Sequence, residues 1–389
     1  MAHKFKMVAV VFIVGVLFLS PILAAAPAHA GPDRLAEAIA QTPQGTKEGE
    51  INPEAKPGWL GIPGAPSPSL LIGFLWAIWV GWIFSTVGAF GGIMAGVGHI
   101  TVFGLANYGK TFKQTSPILN KLIADSIRVS NQWLVGLSAA ISSLNYYKAG
   151  RLVLPLGIAL AVGAVGGSIG VPILTAGKIS LKAYIGYFGL CVFAVAGVLL
   201  YETLPAGMAK RKAATQAAKA FEKGAKETKE IGEAEDVGVK IIQFGLGKVV
   251  FTFYGVEFSF RPIIPVIGGL FIASIASFIG VGGGFLFVPF LTSVAGLPMF
   301  IVAGTSALTV LVGMVVSIFT YMVVKGTVVY WPLIGAELLG IFVGSMIGPR
   351  TSKYIPEVWL KRLFIVLAVY VGLRYSSRGF LGYSIVPPF

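Results

Sequence analysis

Long apolar runs separated by shorter polar stretches dominate this chain. After an opening run from Val8 to Ala26, apolar segments lie at about 70–88, 89–106, 127–147, 152–173 and 181–204. A polar stretch over 205–261 interrupts them, and five more follow at about 262–280, 282–298, 301–324, 329–348 and 358–377. A helix needs about 20 such residues to cross a bilayer, so the pattern predicts an all-α polytopic membrane protein. Several segments are shorter than that, and glycines interrupt the second and the seventh. A membrane helix tolerates such breaks where protein or a water-filled cavity covers the freed backbone.

The polar pieces differ in character. Lys4 and Lys6 precede the opening run and Ala28-His29-Ala30 closes it, which reads as a secretory signal cut before Gly31. An extra, uncleaved N-terminal span is the alternative. Residues 31–69 are Pro/Gly-rich with three basic and five acidic residues, suiting an external tail. Within 205–261, residues 206–236 are rich in Ala, Lys and Glu and predict a solvated helix. Val249–Phe260 alternates around Tyr254-Gly255, as a short hairpin would. This linker reads as a structural cap at the inner surface, followed by the second set of spans over 262–378 and a short tail at 379–389.

The two sets of spans, 70–204 and 262–378, resemble each other. At an offset of 177, Lys148, Pro155, Gly163, Gly167, Ser168 and Pro172 fall on Lys325, Pro332, Gly340, Gly344, Ser345 and Pro349. An earlier glycine motif aligns at 184, placing Gly96-Val97-Gly98 on Gly280-Val281-Gly282. About five segments per repeat is an odd number, so the second copy enters the membrane from the opposite side. Inverted repeats of this kind build alternating-access carriers. This topology puts 16 basic residues in cytoplasmic loops and 12 outside, a modest bias in the expected direction.

Composition narrows the class. Charged residues are 12% of the 389 and hydrophobic ones 56%, against about 25% charged in a soluble domain. The net charge of +14 is accounted for by basic loops, so no nucleic-acid partner is implied. Cys191 is the single cysteine and the histidines are His3, His29 and His99, which argues against a disulfide, a metal site or a cofactor. No enzymatic constellation appears, and a homodimer is left open.

The most specific segment is Ser277–Pro289, with Gly280-Val281-Gly282-Gly283-Gly284 at its centre. Consecutive glycines break a helix and bare its N–H groups, and a half-helix starting there points its positive end at an anion. Tight helix packing is the competing reading. With Ala303-Gly304-Thr305-Ser306-Ala307-Leu308, Lys325-Gly326-Thr327-Val328 and Gly344-Ser345-Met346-Ile347-Gly348, this segment resembles the TauE/SafE sulfite exporter family, also called the 4-toluene sulfonate uptake permease family. The resemblance covers about 70–204 and 262–378, strongly in the second half and weakly in the first. It implies a duplicated secondary carrier in the cell membrane for sulfur-containing or related organic anions, often proton-coupled.

The first half departs from the pattern, having Gly98-His99 for the triple glycine and Arg128 opposite Thr305-Ser306. Ionisable residues inside spans are costly and mark function by default. Arg128, Asn131 and Gln132 share a helical face that suits an oxyanion, although Asp125 stands ready to pair with Arg128. An interfacial Arg128 that reaches headgroups is the plainer reading. Thr305 and Ser306 offer hydroxyls beside the Gly282–Gly284 backbone, or merely pack. His99 and Glu337 are the candidates for carrying a proton, against structural hydrogen bonding for either. Trp76, Trp79, Trp82, Trp331 and Trp359 read as belt anchors. The sequence thus points to a carrier for a small anion within the lipid bilayer, with a passive channel as the alternative.

Overall fold

The computed structural model describes residues 31–87, 91–175, most of 189–221, 238–279 and 284–386. The N-terminal run, Cys191, and Gly282 and Gly283 of the glycine motif lie outside the described residues. The structure is mostly helical. Its principal helices are α1 (Gly31–Gln41), α2 (Leu70–Val87), α3 (Gly91–Val97), α4 (Leu105–Thr111), α5 (Pro117–Lys148), α6 (Leu154–Thr175) and α7 (Pro205–Lys210). After three strands come α8 (Ile263–Ile279), α9 (Gly284–Pro289), α10 (Met299–Phe319), α11 (Trp331–Ser352) and α12 (Glu357–Phe380). Met299–Val323 and Trp331–Ser352 are each long and apolar enough to cross a membrane unaided, while Leu70–Thr86, Leu154–Ile169 and Ile263–Ile275 are shorter apolar helices.

Helix packing is set by glycines. α2 lies along α11, and α6 along α8. A Cβ at Gly340 or Gly344 would collide with the carbonyls of Phe74 and Ile78 on α2. One at Gly163 or Gly167 would collide with those of Val266 and Leu270 on α8. Without hydrophobic drive between helices in lipid, such backbone-to-backbone approach is what holds them.

Two segments are broken in the same way. α3 passes into a π turn at Gly98–Val102 and then into left-handed Gly104 (φ 68°). α9 passes into a π turn at Phe290–Val294 and then into left-handed Gly296 (φ 66°). These landmarks are 192 positions apart, not 184. The sequence register matched Gly-Val-Gly strings, whereas the backbone matches the ends of the turns. At an offset of 192, Gly91-Gly92 stands opposite Gly283-Gly284, and Leu291 opposite His99.

α5 starts at Pro117, ten residues before the apolar run that predicts it, and spans 32 residues. Its first turns are too polar to read as a span, but Leu119, Ile123 and Ile127 are buried there. What covers them is the tail. Leu35, Ala38, Ile51, Trp59, Ile62 and Ala65 form one core with these residues and with Phe103, Leu105, Phe112 and Leu333. Thr42 Oγ1 lies 2.9 Å from Ser116 Oγ and joins the tail to the start of α5. The Pro/Gly-rich segment is therefore a folded cap.

At the other end of the helices, β1 (Val239–Phe244), β2 (Val249–Phe253) and β3 (Val256–Phe260) form an antiparallel sheet in that order. Phe251, Phe253 and Phe258 bury against the main core. Phe221 of the preceding linker packs at a tilt on Phe300 at the start of α10, with ring centroids 4.2 Å apart.

Candidate substrate and proton site

The π turn after α3 carries His99 into the protein. A π turn inserts one extra residue and redirects the side chains on either side. Gly98 makes room for it, because a Cβ there would lie 2.5 Å from Trp76 Nε1. Trp76 itself donates to the Met94 carbonyl at 3.2 Å. It is thus wedged between α2 and the turn, which corrects its reading as a lipid-facing anchor. Trp82 is similarly engaged, donating to Thr351 Oγ1 at 3.0 Å. Trp79, Trp331 and Trp359 remain exposed.

Three elements converge on the imidazole. Nδ1 lies 2.5 Å from Asn131 Oδ1 of α5 and 3.3 Å from the Ala95 carbonyl. Nε2 lies 3.2 Å from Glu337 Oε2 of α11. Both His99 and Glu337 are fully buried. Their contact is an ion-pair distance without aligned hydrogen-bond geometry, and among the described residues neither Glu337 oxygen has a hydrogen-bond partner. Gly73 of α2 packs on Glu337 and Phe103, and Phe103 meets the imidazole edge-on at 5.8 Å. The pair and its surroundings therefore draw on α2, the π turn, α5 and α11.

A His–Glu pair with one proton between its two groups has zero net charge, whether it is written as imidazolium–carboxylate or as two neutral groups. A second proton makes it +1, and losing the shared proton makes it −1. In a low-dielectric interior an isolated charge is expensive, so each change favours the arrival of a compensating ion.

The other residues singled out in the sequence fall in two places. Arg128 Nη1 donates to Asp125 Oδ1 at 3.0 Å and to Tyr321 Oη at 2.7 Å. Its guanidinium lies 5.5 Å from the Tyr321 ring centroid. The Asp125 pairing foreseen in the sequence is present, and Tyr321 is a partner that sequence reasoning missed. Gln132 is buried, and its Oε1 has no partner among the described residues. Thr305 Oγ1 donates to the Ile301 carbonyl at 2.8 Å and accepts from the Val153 N–H at 3.2 Å. Ser306 Oγ donates to the Ala303 carbonyl at 3.2 Å. These two hydroxyls are occupied within α10 and against the start of α6, and Gly284 opens α9.

Near α4, the Lys110 ammonium is held below its usual range, first by burial and then by nearby Arg378 and Arg374. Positive charge is concentrated there, around the end of α12.

Comparison with known families identifies the kind of protein that carries this site. A family model described as Sulfite exporter TauE/SafE matches residues 72–375. The chain belongs to the TauE/SafE family. Neither the curated proteins nor the solved structures give a match. Membership makes this a membrane transport protein of an anion-exporting family. The match takes in His99, Asn131 and Glu337 and leaves out the folded cap over 31–69.

Proposed function

We propose that this TauE/SafE protein is a multi-pass secondary carrier, built of two inverted repeats, that moves a small sulfur-containing or organic anion by alternating access coupled to protons. The observation that carries the proposal is the fully buried His99–Glu337 pair, 3.2 Å apart and tethered to Asn131. Protonating the pair creates a net positive charge that an incoming monoanion neutralises, so proton and anion travel together. Asn131, Gln132 and Gly98 are the neutral donors proposed for the anion, with the Gly282–Gly284 motif of the sequence as a further candidate and Thr305 and Ser306, whose hydroxyls are already engaged, contributing from α10. Arg128, already bridged to Asp125 and Tyr321, attracts and orders the anion at the edge of this site.

The inverted-repeat reading draws support from packing. Gly163 and Gly167 approach α8 as Gly340 and Gly344 approach α2, and both contacts cross between the halves. Trp76 fills the space over Gly98, while Phe290 fills that over Gly268. These four residues are related by 192 with large and small exchanged. In the proposed orientation the cap over 31–69 is external and the 205–261 linker cytoplasmic.

The test is uptake of sulfite, sulfate, thiosulfate and short sulfonates into proteoliposomes, with and without a pH gradient. Saturable uptake driven by the gradient is expected. Glu337→Gln should remove the drive while anion exchange at equal pH continues. Linear, saturation-free flux indifferent to pH would instead establish a passive channel. Arg128→Ala should abolish uptake, and normal uptake in that variant removes Arg128 from the site.

A further inference from the structure

The linker sheet has one apolar face and one polar face, assigned by its register. Val239 pairs with Phe253, Ile241 with Phe251 and Phe244 with Val249; on the other side Val249 pairs with Phe260, Phe251 with Phe258 and Phe253 with Val256. Directly opposed residues share a face, so this face carries no polar side chain in any of the three strands. Lys240, Gln243, Thr252, Glu257 and Ser259 lie on the opposite face, with the buried Val250 as its one apolar member.

The bulge in β1 enforces the segregation. Register shifts between Ile241 and Gln243, so Ile242 is extra, Gln243 goes to the polar face and Phe244 returns to the apolar one. Without the bulge, strict alternation would put Gln243 among the phenylalanines. Bulges commonly re-aim side chains in this way.

Only part of the apolar face is covered. Over β2 and β3 it rests on the ends of the helices, leaving Phe251 1% and Phe253 0% exposed. Over β1 beyond Val239, which packs partly on the main core, no described residue buries it: Ile241 is 43% and Phe244 75% exposed. Leu246, at the tip of the β1–β2 turn, is 96% exposed. The face that presses on the transmembrane helices thus continues sideways beyond them, at the level where α10 and α12 begin. What lies beside those helices at that level is the bilayer surface. The chain from β3 runs directly into α8, whose Ile263, Ile267 and Phe271 are likewise exposed apolar residues. Lys248 and Arg261, facing one another just beyond the Val249–Phe260 pair, are exposed at the end of the sheet that also carries Phe244, matching the headgroups of anionic lipid.

We propose that β1 and the β1–β2 turn seat on the bilayer, with Ile241, Phe244 and Leu246 in the headgroup–acyl boundary of the leaflet on the linker's side. The linker is then held by lipid as well as by the helices, in the manner of an interfacial anchor.

The test uses the full-length protein in vesicles of phosphatidylcholine and phosphatidylglycerol. Cys191→Ser removes the single native thiol, and Leu246→Cys then takes an environment-sensitive fluorophore. Glu257→Cys, on the polar face, is the reference. Expected is a blue-shifted Leu246→Cys label, quenched by lipids bearing a nitroxide near the headgroup and shielded from aqueous iodide, with the Glu257→Cys label behaving oppositely. Equal iodide quenching at both positions would overturn the proposal. So would shielding at Leu246→Cys that vanishes when the protein is diluted in lipid, because a second copy would then be the cover. The readout is independent of transport, so its failure leaves the carrier reading intact.

Discussion

The two broken segments share a backbone and differ in chemistry. Each is a short helix, a π turn and a left-handed glycine. The first turn holds His99 against Asn131 and Glu337. At the matching place in the second stands Leu291, fully buried and apolar. The partner position is asymmetric too, since the residue 177 before Glu337 is the buried Leu160. Among the described residues, then, one of the two turns holds a titratable pair and the other does not. A break in a membrane helix provides access to backbone and a change of direction; it does not itself provide a proton.

This comparison can be broken most severely at the shared packing. Gly163→Leu and Gly340→Leu each drive a side chain into a neighbouring helix backbone, and overpacking of this kind costs about 1–3 kcal/mol or more. Both should lose the monodisperse, folded species in detergent chromatography, to a similar degree. Tolerance of one but not the other would dissolve the equivalence of the two contacts.

Next in size is the chemistry. His99→Leu makes the first turn resemble the second and leaves Glu337 buried without its partner. Proton-driven uptake should fall by roughly tenfold or more, the factor that one pKa unit of coupling represents. A retained pH-driven component would move the proton site elsewhere. The reciprocal change, Leu291→His, places an imidazole where no carboxylate faces it among the described residues. An unpartnered buried polar group costs about 1–3 kcal/mol, so a lower melting temperature and no new pH dependence are expected. Asn131→Ala should have the smallest effect. It deletes one hydrogen bond, worth about 0.5–1.5 kcal/mol, and should weaken pH-driven uptake a few-fold without abolishing it.

Much of this was legible in the chain. The apolar runs mark the helices, the scarcity of charge inside them picks out His99, Arg128 and Glu337, and the glycine, Thr-Ser and Lys-Gly strings carry the family resemblance. Other features were hidden for identifiable reasons. The Gly-Val-Gly strings, which recur in a glycine-rich chain, align eight positions away from the backbone landmarks, the positive φ at Gly104 and Gly296, which are not visible in the residues. The first turns of α5 looked like a loop because the residues that bury Leu119, Ile123 and Ile127 lie some 60–90 positions earlier, in a tail whose prolines and glycines gave no periodic signal. Trp76 looked like an interfacial anchor because sequence cannot tell which face of an all-apolar helix meets protein.

The sequence by itself determined class and inventory, since hydropathy, charge scarcity and glycine placement are local properties of the chain. It also fixed which few ionisable groups needed explanation. Only the tertiary structure decided that His99 and Glu337, 238 positions apart, stand within 3.2 Å, and that Arg128 is bridged to Tyr321. Helix packing makes those pairings. They depend on where glycines let backbones approach and on how a π turn aims one imidazole, neither of which is written in the neighbourhood of the residues themselves.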